Sequence, residues 1–496
     1  MVENILNSIG HFYPEISIVV TLCAVIIADL LLKRENHTIS WIFLAGLTVT
    51  GLLVLQQTGI NSSIFHDMAA VDPFAVFFKV ILIIASFFIV LFSIKSRELD
   101  PYLSRLAEYY MLIAGMLLGM FLMVGSTNLL LIYLAFEMTS ISSYVLAGFT
   151  KRALKSAEGS VKYIMYGAVS SGIMLYGISL LIGITSATDI YGVNAALAAG
   201  IEQPIILYIA ILMIIVGIGF KIALVPFHFW APDVYEGAPI TITAYLSVAS
   251  KVAAIALMIR LFKVSFMDAG SVQIIGDWPI FEGLNWNMLL AFMAAMAMIA
   301  GNLTALKQDN IKRMLAYSSI AHAGYILMGF VVLTDEGITA IMIYVFLYLF
   351  MNLGAFYVAM LFSNKLSTES IEKYKGLGYR APMECIAMTI FLIALTGFPP
   401  TAGFVAKLYI FGAAISAGWI WLALIAGVTT VISLFYYIRV VRNMFFFKSD
   451  GISEPLVFDA GSKVILFLLL IPVLLFGVYF TPIIEFARYS LKMFGM

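Results

Sequence analysis

The sequence predicts an all-α integral membrane protein of about 14 transmembrane helices, with two inverted five-helix repeats in which helices 7 and 12 are broken. Three observations predict it. The composition suits lipid better than water, apolar runs of spanning length recur along the chain, and ionisable residues repeat at nearly equal spacing five spans apart.

Hydrophobic residues make up 62% of the 496 positions and charged residues 11%, and the mean hydropathy is +1.03. A soluble chain of this length needs far more charge to cover its surface. The net charge of zero says little, so the information lies in where the charges fall. The two cysteines, Cys23 and Cys385, are too few for a disulfide framework, a Cys-rich zinc site or a four-Cys iron–sulfur site within this chain. The first apolar run, about Ile16 to Leu32, follows an acidic, Lys-free head. It is long enough to span, which predicts a retained helix rather than a cleaved signal.

Crossing roughly 30 Å of hydrocarbon takes about 20 apolar residues. Fourteen runs qualify, at 12–32, 40–58, 73–94, 107–124, 127–149, 160–185, 204–227, 240–262, 288–305, 314–333, 337–362, 383–415, 419–445 and 462–482. The twelfth is over-long and contains Pro399-Pro400, which predicts two half-helices. With this count, the loops after odd-numbered spans and their flanks hold 20 of the 28 basic residues, from Lys33 and Arg34 through Lys151, Arg152 and Lys155 to Lys448 and Lys463. The other side holds only Arg260, Lys263, Arg488 and Lys492. The asymmetry places the rich side in the cytoplasm and both termini in the periplasm.

Four lysines remain inside spans: Lys79, Lys221, Lys251 and Lys407. A lysine at a helix centre costs about 2.5–3.5 kcal/mol on insertion scales, so each needs a reason. Lys79 lies about two turns into its span, and snorkelling along its own stem is one reading. The other three sit near mid-span, where the alternatives are a structural ion pair or a transport role. Glu137, in LLLIYLAFEMTSISSYVLAGF, is the obvious carboxylate partner. Desolvation disfavours a charged amine and a nearby carboxylate favours it, so such a pair switches protonation as charges come and go. His322, in LAYSSIAHAGYILMGF, joins a relay or is simply a hydrogen-bonded packing residue.

Spacing ties these residues together. Glu137 to Lys221 is 84 positions and His322 to Lys407 is 85. Each residue of the first pair lies five spans before its counterpart, and because five is odd the second copy enters the membrane from the other side. Pro226 follows Lys221 by five residues, and Pro400 precedes Lys407 by seven. Both lysine helices are therefore expected to break near the amine, as helices lining an ion path do. The expected organisation is helices 1–3 over residues 1–106, a first repeat over 107–264, a second over 288–448, and a last helix over 460–496.

FEMTSISSYVLAGF (136–149), GFKIALVPFHFWAPDVYEGAP (219–239), KRMLAYSSIAHAGYILMG (312–329) and LTGFPPTAGFVAKLYIF (395–411) resemble a known family. It comprises the antiporter-like membrane subunits of respiratory complex I and of multisubunit Na⁺/H⁺ antiporters, and the resemblance runs from about Asp72 to Lys448. DVYEGAP and PPTAGFVAKLYIF look most like its subunit N branch rather than branches L and M, where M typically places Glu at the position of Lys407. Two departures, Ile-Thr-Ile after EGAP and Ser250 before Lys251, touch no titratable residue.

The resemblance implies a proton-translocating subunit of a bacterial NADH–quinone oxidoreductase in the cell inner membrane. Glu137 and Lys221 would form a modulating pair, Lys251 a central relay, His322 a connecting group and Lys407 the periplasmic half-path. His228, Asp233 and Glu236 read as loop anchors, and Glu158 with Lys162 as a plain helix ion pair. Gly217-Ile-Gly219 sits inside an apolar span and is no dinucleotide fingerprint. NADH, FMN, iron–sulfur clusters and quinone are therefore expected on partner subunits, and no cofactor or metal on this chain. The partners implied are the peripheral and membrane subunits, especially neighbouring antiporter-like ones, together with the bilayer, and no nucleic acid. The competing readings are a Na⁺/H⁺ antiporter subunit and a non-pumping scaffold.

Overall fold

A computed structural model describes residues 6, 8–32, 37–150, 153–200, 203–272, 276–281, 284–447 and 454–495. Lys33, Arg34, Lys151, Arg152 and Lys448, used above for orientation, lie outside them. Among the described residues thirteen helices are long and apolar enough to span, and two 15-residue half-helices supply a fourteenth crossing where the apolar runs predict it. They are α1 (Tyr13–Leu31), α2 (Thr38–Gln56), α3 (Pro73–Lys95), α4 (Leu106–Gly125), α5 (Leu129–Ala147) and α6 (Leu154–Thr185). Helix α7 has two pieces, α7a (Pro204–Lys221) and α7b (Trp230–Gly237). Next come α8 (Ile240–Phe266), α9 (Trp286–Ala305), α10 (Ile311–Val331) and α11 (Asp335–Leu366). Helix α12 is split into α12a (Pro382–Thr396) and α12b (Ala402–Ser416), and α13 (Ile420–Phe446) and α14 (Ala460–Val478) complete the series. Three features have no counterpart among the expected spans: a short hairpin, β1 (Ser62–Ile64) against β2 (Ala69–Val71), a ten-residue helix, Ile190–Ala199, and a nine-residue helix, Thr481–Tyr489.

Burial sorts the helices into a centre and a rim. The most apolar stretch of α8 is 100% buried and those of α10 and α11 are 94% buried, whereas that of α14 is only 28% buried. A helix apolar on every side satisfies its backbone internally, so either protein or lipid can cover it. Here α8, α10 and α11 take the protein interior. The packing order also recurs along the chain: α4 lies on α5 as α9 lies on α10, α6 on both pieces of α7 as α11 on both pieces of α12, and α4 on α8 as α9 on α13.

Both breaks fall beside the predicted prolines, and each has a local cause. Helix α7a ends at Lys221, earlier than the predicted 227. Pro226 has no N–H, and its ring collides with the preceding turn. Leu224 N instead donates 2.8 Å back to the Gly219 carbonyl, and Ala223 takes φ +57°. Helix α12a ends at Thr396 and is capped by Gly397, whose φ of +87° is the left-handed conformation a helix C-terminus favours for glycine. Its N–H donates to the Ala394 and Ile393 carbonyls, at 2.9 and 3.1 Å. A third irregularity carried no sequence warning. Leu246–Ser250 in α8 is wound as a π-turn immediately before Lys251, the kind of insertion that gathers at functional sites.

The structure settles the placement of four charged residues that the sequence left open or placed elsewhere. Lys79 does not snorkel: it is 2% exposed and donates 2.6 Å to the Glu15 carboxylate of α1. Glu15, taken as part of an acidic head, sits in the first turn of α1 and is buried. Arg260 and Lys263, counted among basic residues on the sparse side, lie within α8 and pair inward. Arg260 forms a two-pronged pair with Asp72, both bonds 2.8 Å. Lys263 bonds Asp335 at 2.7 Å and lies over the Trp278 ring.

Candidate functional site

The chain buries many cations, and most are neutralised in place. Lys79, Arg260, Lys263 and Lys312 each reach a carboxylate, respectively Glu15, Asp72, Asp335 and Glu369, at 2.6–2.8 Å. Lys221, Lys251 and Lys407 are just as buried, at 1%, 4% and 6% exposure. Among the described residues none of the three has a carboxylate in ion-pair contact. Neutral oxygens hold them instead.

Lys221 is the last residue of α7a, so its ammonium sits at the negative end of that half-helix dipole. Its Nζ donates 2.8 Å to Ser140 Oγ on α5 and lies over the Phe136 ring. The expected direct pair with Glu137 is not formed. Ser140, three residues further along α5, is the amine's partner on that helix, and the Ser140 hydroxyl donates in turn to the Phe136 carbonyl at 2.8 Å. The Oε1 atom of Glu137 is buried and accepts no hydrogen bond among the described residues. Lys407 repeats the dipole arrangement across the break: from α12b it donates 2.7 Å to the Thr396 carbonyl, the free end of α12a, and 3.1 Å to Thr430 Oγ1 on α13. Its amine also lies 4.5 Å from the centre of the Tyr325 ring.

Between them stands Lys251, the first residue after the π-turn, donating to the carbonyl and hydroxyl of Ser319 at 2.9 and 2.5 Å. Ser319 belongs to α10, and three residues on is His322, whose Nδ1 shares a 2.6 Å hydrogen bond with the Tyr344 hydroxyl of α11. Three further on is Tyr325, whose hydroxyl donates 3.1 Å to Thr429 and accepts from Asn302 and Thr430. Residues three apart share a helix face. One side of α10 therefore carries Ser319, His322 and Tyr325 from Lys251 to Lys407, a rise of about 9 Å along the axis.

The structure thus brings Lys251, His322 and Lys407 onto one line of hydroxyls and rings. Lys221 bonds Ser140 apart from that line, and no shared hydrogen-bonding group joins it to Lys251 among the described residues. Tyr235 and Tyr348 have buried hydroxyls that also approach Ser319, the residue that holds Lys251. The sequence reading missed Ser140, Ser319, Tyr325, Tyr344 and Thr430. The three-residue spacing of Ser319, His322 and Tyr325 was the available signal.

The motif residues at the end of α7b are anchors. Asp233 accepts from Lys162 at 2.6 Å and Arg313 at 2.7 Å, and Glu236 from Lys155 at 2.7 Å and Arg313 at 2.9 Å. Glu158 and Lys162 form the expected helix pair, 2.7 Å apart. His228 is partly buried and takes no part in this network. No group of His, Cys, Asp and Glu among the described residues is arranged to hold a metal.

Residues 126–433 match the family model described as NADH:quinone oxidoreductase/Mrp antiporter, transmembrane. Over 98% of its length the chain is 44% identical to the NADH-quinone oxidoreductase subunit N 2 of Chloroherpeton thalassium, covering 94% of that protein. Its fold matches a chain of respiratory complex I from Thermus thermophilus with a TM-score of 0.77 and 26% identity, over 96% of this chain and 99% of that one. It also matches a chain of the Mrp complex from Dietzia sp. at TM-score 0.80, over 97% of each chain; at 18% identity this is a likeness of fold.

Proposed function

The chain belongs to the NADH:quinone oxidoreductase/Mrp antiporter transmembrane family, and within it to the subunit N group, and we propose from this premise that it moves protons through Lys221, Lys251, His322 and Lys407, with Glu137 modulating Lys221. The carrying observation is the contrast among buried cations. Among the described residues four are fixed by a carboxylate, whereas the amines of Lys221, Lys251 and Lys407 bond only neutral hydroxyl and carbonyl oxygens. A permanent buried charge requires a counter-charge. An amine without one exchanges its proton when a neighbouring charge arrives or leaves.

The working cycle follows from the contacts. Protonation of Lys251 places a positive charge beside Ser319, and its release along α10 passes through His322 and Tyr325, whose ring faces the Lys407 amine. Lys407 discharges toward the opposite face while the Thr396 carbonyl and the α12a dipole hold its charged form. Glu137 sets the charge of Lys221 by its own charge, without a direct ion pair. Redox chemistry belongs to partner subunits, and the driving energy enters through contacts with neighbouring membrane subunits. The basic-rich face lies in the cytoplasm of a bacterial cell, the span lies in the inner membrane, and both termini lie outside. Residues 107–264 and 288–448 act as the two inverted halves.

An ion-gradient-driven Na⁺/H⁺ antiporter subunit is the second reading, favoured only by the shared fold of the Dietzia chain. The test is Lys407→Met in the assembled complex, reconstituted in vesicles. Quinone-reductase turnover coupled to proton uptake should fall by about 10²-fold, as expected for loss of a positioned proton-transfer group. Unchanged turnover with full pumping removes Lys407 from the path. Sodium-dependent activity without quinone reduction supports the antiporter.

A further inference from the structure

The relay needs a source of protons, and a route must lead from the basic-rich face to Lys251. A polar cavity of about 770 Å³ opens between the end of α11, the segment after it and the connections α3–α4 and α9–α10, lined by Glu98, Glu236 and Glu369 among others. Two of these carboxylates are fixed: Glu236 by Lys155 and Arg313, and Glu369 by Lys312. Glu98 is the exception, with no ion pair among the described residues. Its Oε2 accepts 3.0 Å from the backbone N–H of Ile240, the first residue of α8. One carboxylate thus faces the cavity and touches the helix that carries Lys251.

Beyond Glu98, α8 presents hydroxyls toward its interior neighbours. Thr241 Oγ1 shares a 2.7 Å hydrogen bond with Tyr109 of α4. One turn further, Tyr245 shares a 2.7 Å bond with Ser86 of α3. Ser247 Oγ then accepts 2.6 Å from Asn352 of α11. Asn352 Oδ1 and Ser250 Oγ, both buried, have no hydrogen-bond partner among the described residues, and buried polar atoms of this kind ordinarily bond water. Ser250 adjoins Lys251, which lies about 17 Å along the axis from Ile240, and the π-turn occupies the same stretch.

We propose that Glu98 takes up protons from this cavity and loads Lys251 through the hydroxyls along α8, an assignment that rests on the proton-carrying reading above. The Glu98 carboxylate accepts a proton from cavity water. Each hydroxyl in turn accepts one proton and donates another, the Lys251 amine becomes ammonium, and Glu98 returns to its carboxylate.

The assembled complex in vesicles tests this with Glu98→Gln, which retains an acceptor for the Ile240 N–H, alongside Lys251→Met. Glu98→Gln should slow coupled quinone reduction and proton uptake on the order of tenfold, less than the 10²–10⁴ of an irreplaceable group because cavity water bypasses it in part. Added formate, a small weak acid, should restore part of the rate, and Glu98→Asp should retain most of it. A slow Glu98→Gln that neither formate nor Asp rescues marks a helix cap only and overturns the proposal. Full pumping by Glu98→Gln while Lys251→Met is blocked overturns the route and leaves the proton-carrying reading standing. Full pumping by Lys251→Met removes that reading and this route together. If Glu98→Gln does not assemble, Tyr109→Phe carries the test: slowed uptake supports the route and parental uptake overturns it.

Discussion

Replacing Asp72 by Ala should be the most damaging single change to the fold, at about 3–5 kcal/mol, the cost of leaving one partner of a buried ion pair alone. Asp72 and Arg260 are both fully buried. Every acceptor of the carboxylate is in use: its oxygens take both Arg260 bonds, the N–H of Ala75 that opens α3, and the N–H of Phe494 near the end of the chain. Arg260 also donates 2.9 Å to the Val124 carbonyl at the end of α4 and lies over the Phe74 ring. A single pair thus ties α3, α4, α8 and the C-terminal segment at one membrane face. Removing the carboxylate leaves a guanidinium in a low-dielectric interior, whereas replacing both partners by apolar residues of similar size is often close to neutral. The expected result is loss of assembled complex for Asp72→Ala and substantial recovery for Asp72→Leu with Arg260→Met, read by heating detergent-solubilised complex and following what stays assembled. Equal assembly in the single variant contradicts this account of the pair.

Gly397→Ala should cripple transport while sparing most of the fold. The backbone there has φ +87°, and a non-glycine residue in the left-handed region costs about 1–2 kcal/mol. The new Cβ would also lie 2.6 Å from Cδ of Lys407, closer than any carbon contact allows. The lysine stem must move, taking its amine off the Thr396 carbonyl and Thr430 hydroxyl. Gly412, on the same half-helix, has open space where a Cβ would go, so Gly412→Ala is the matched control. Pumping-coupled turnover should fall about tenfold or more in the first variant, since displacements of this size cost up to 10²-fold, and stay at the parental level in the second. Equal turnover in the two would show that the position of Lys407 does not matter.

Span number, the two breaks and the buried amines were all legible because each rests on a local rule. Hydrocarbon thickness sets the length of an apolar run, proline sets the break, and the cost of burying charge draws attention to a lone lysine. Partner choice was not legible in the same way. Glu15 and Lys79 are 64 residues apart and Asp72 and Arg260 188 apart, and only the packing of α1 on its neighbours and of α3 beside α8 brings them together. Charge counting placed Arg260 outside because it lies near a helix end, where sequence alone does not separate a solvated residue from a paired one. Glu137 was matched to Lys221 by charge, and the hydroxyl that bonds the amine, Ser140, carries no charge to flag it in the sequence. The π-turn before Lys251 depends on the hydrogen-bond register of α8, which no residue pattern announced.

The central claim is that amines without counter-charges, joined by hydroxyls and water, carry protons across this chain. A high-resolution map of the assembled complex tests it most directly. Ordered water bonded to Ser250, Asn352 and Tyr348, and linking Lys251 through His322 to Lys407, is the predicted result. Side chains packed dry against these atoms, or a carboxylate from another subunit locked onto each of the three lysines, would contradict it.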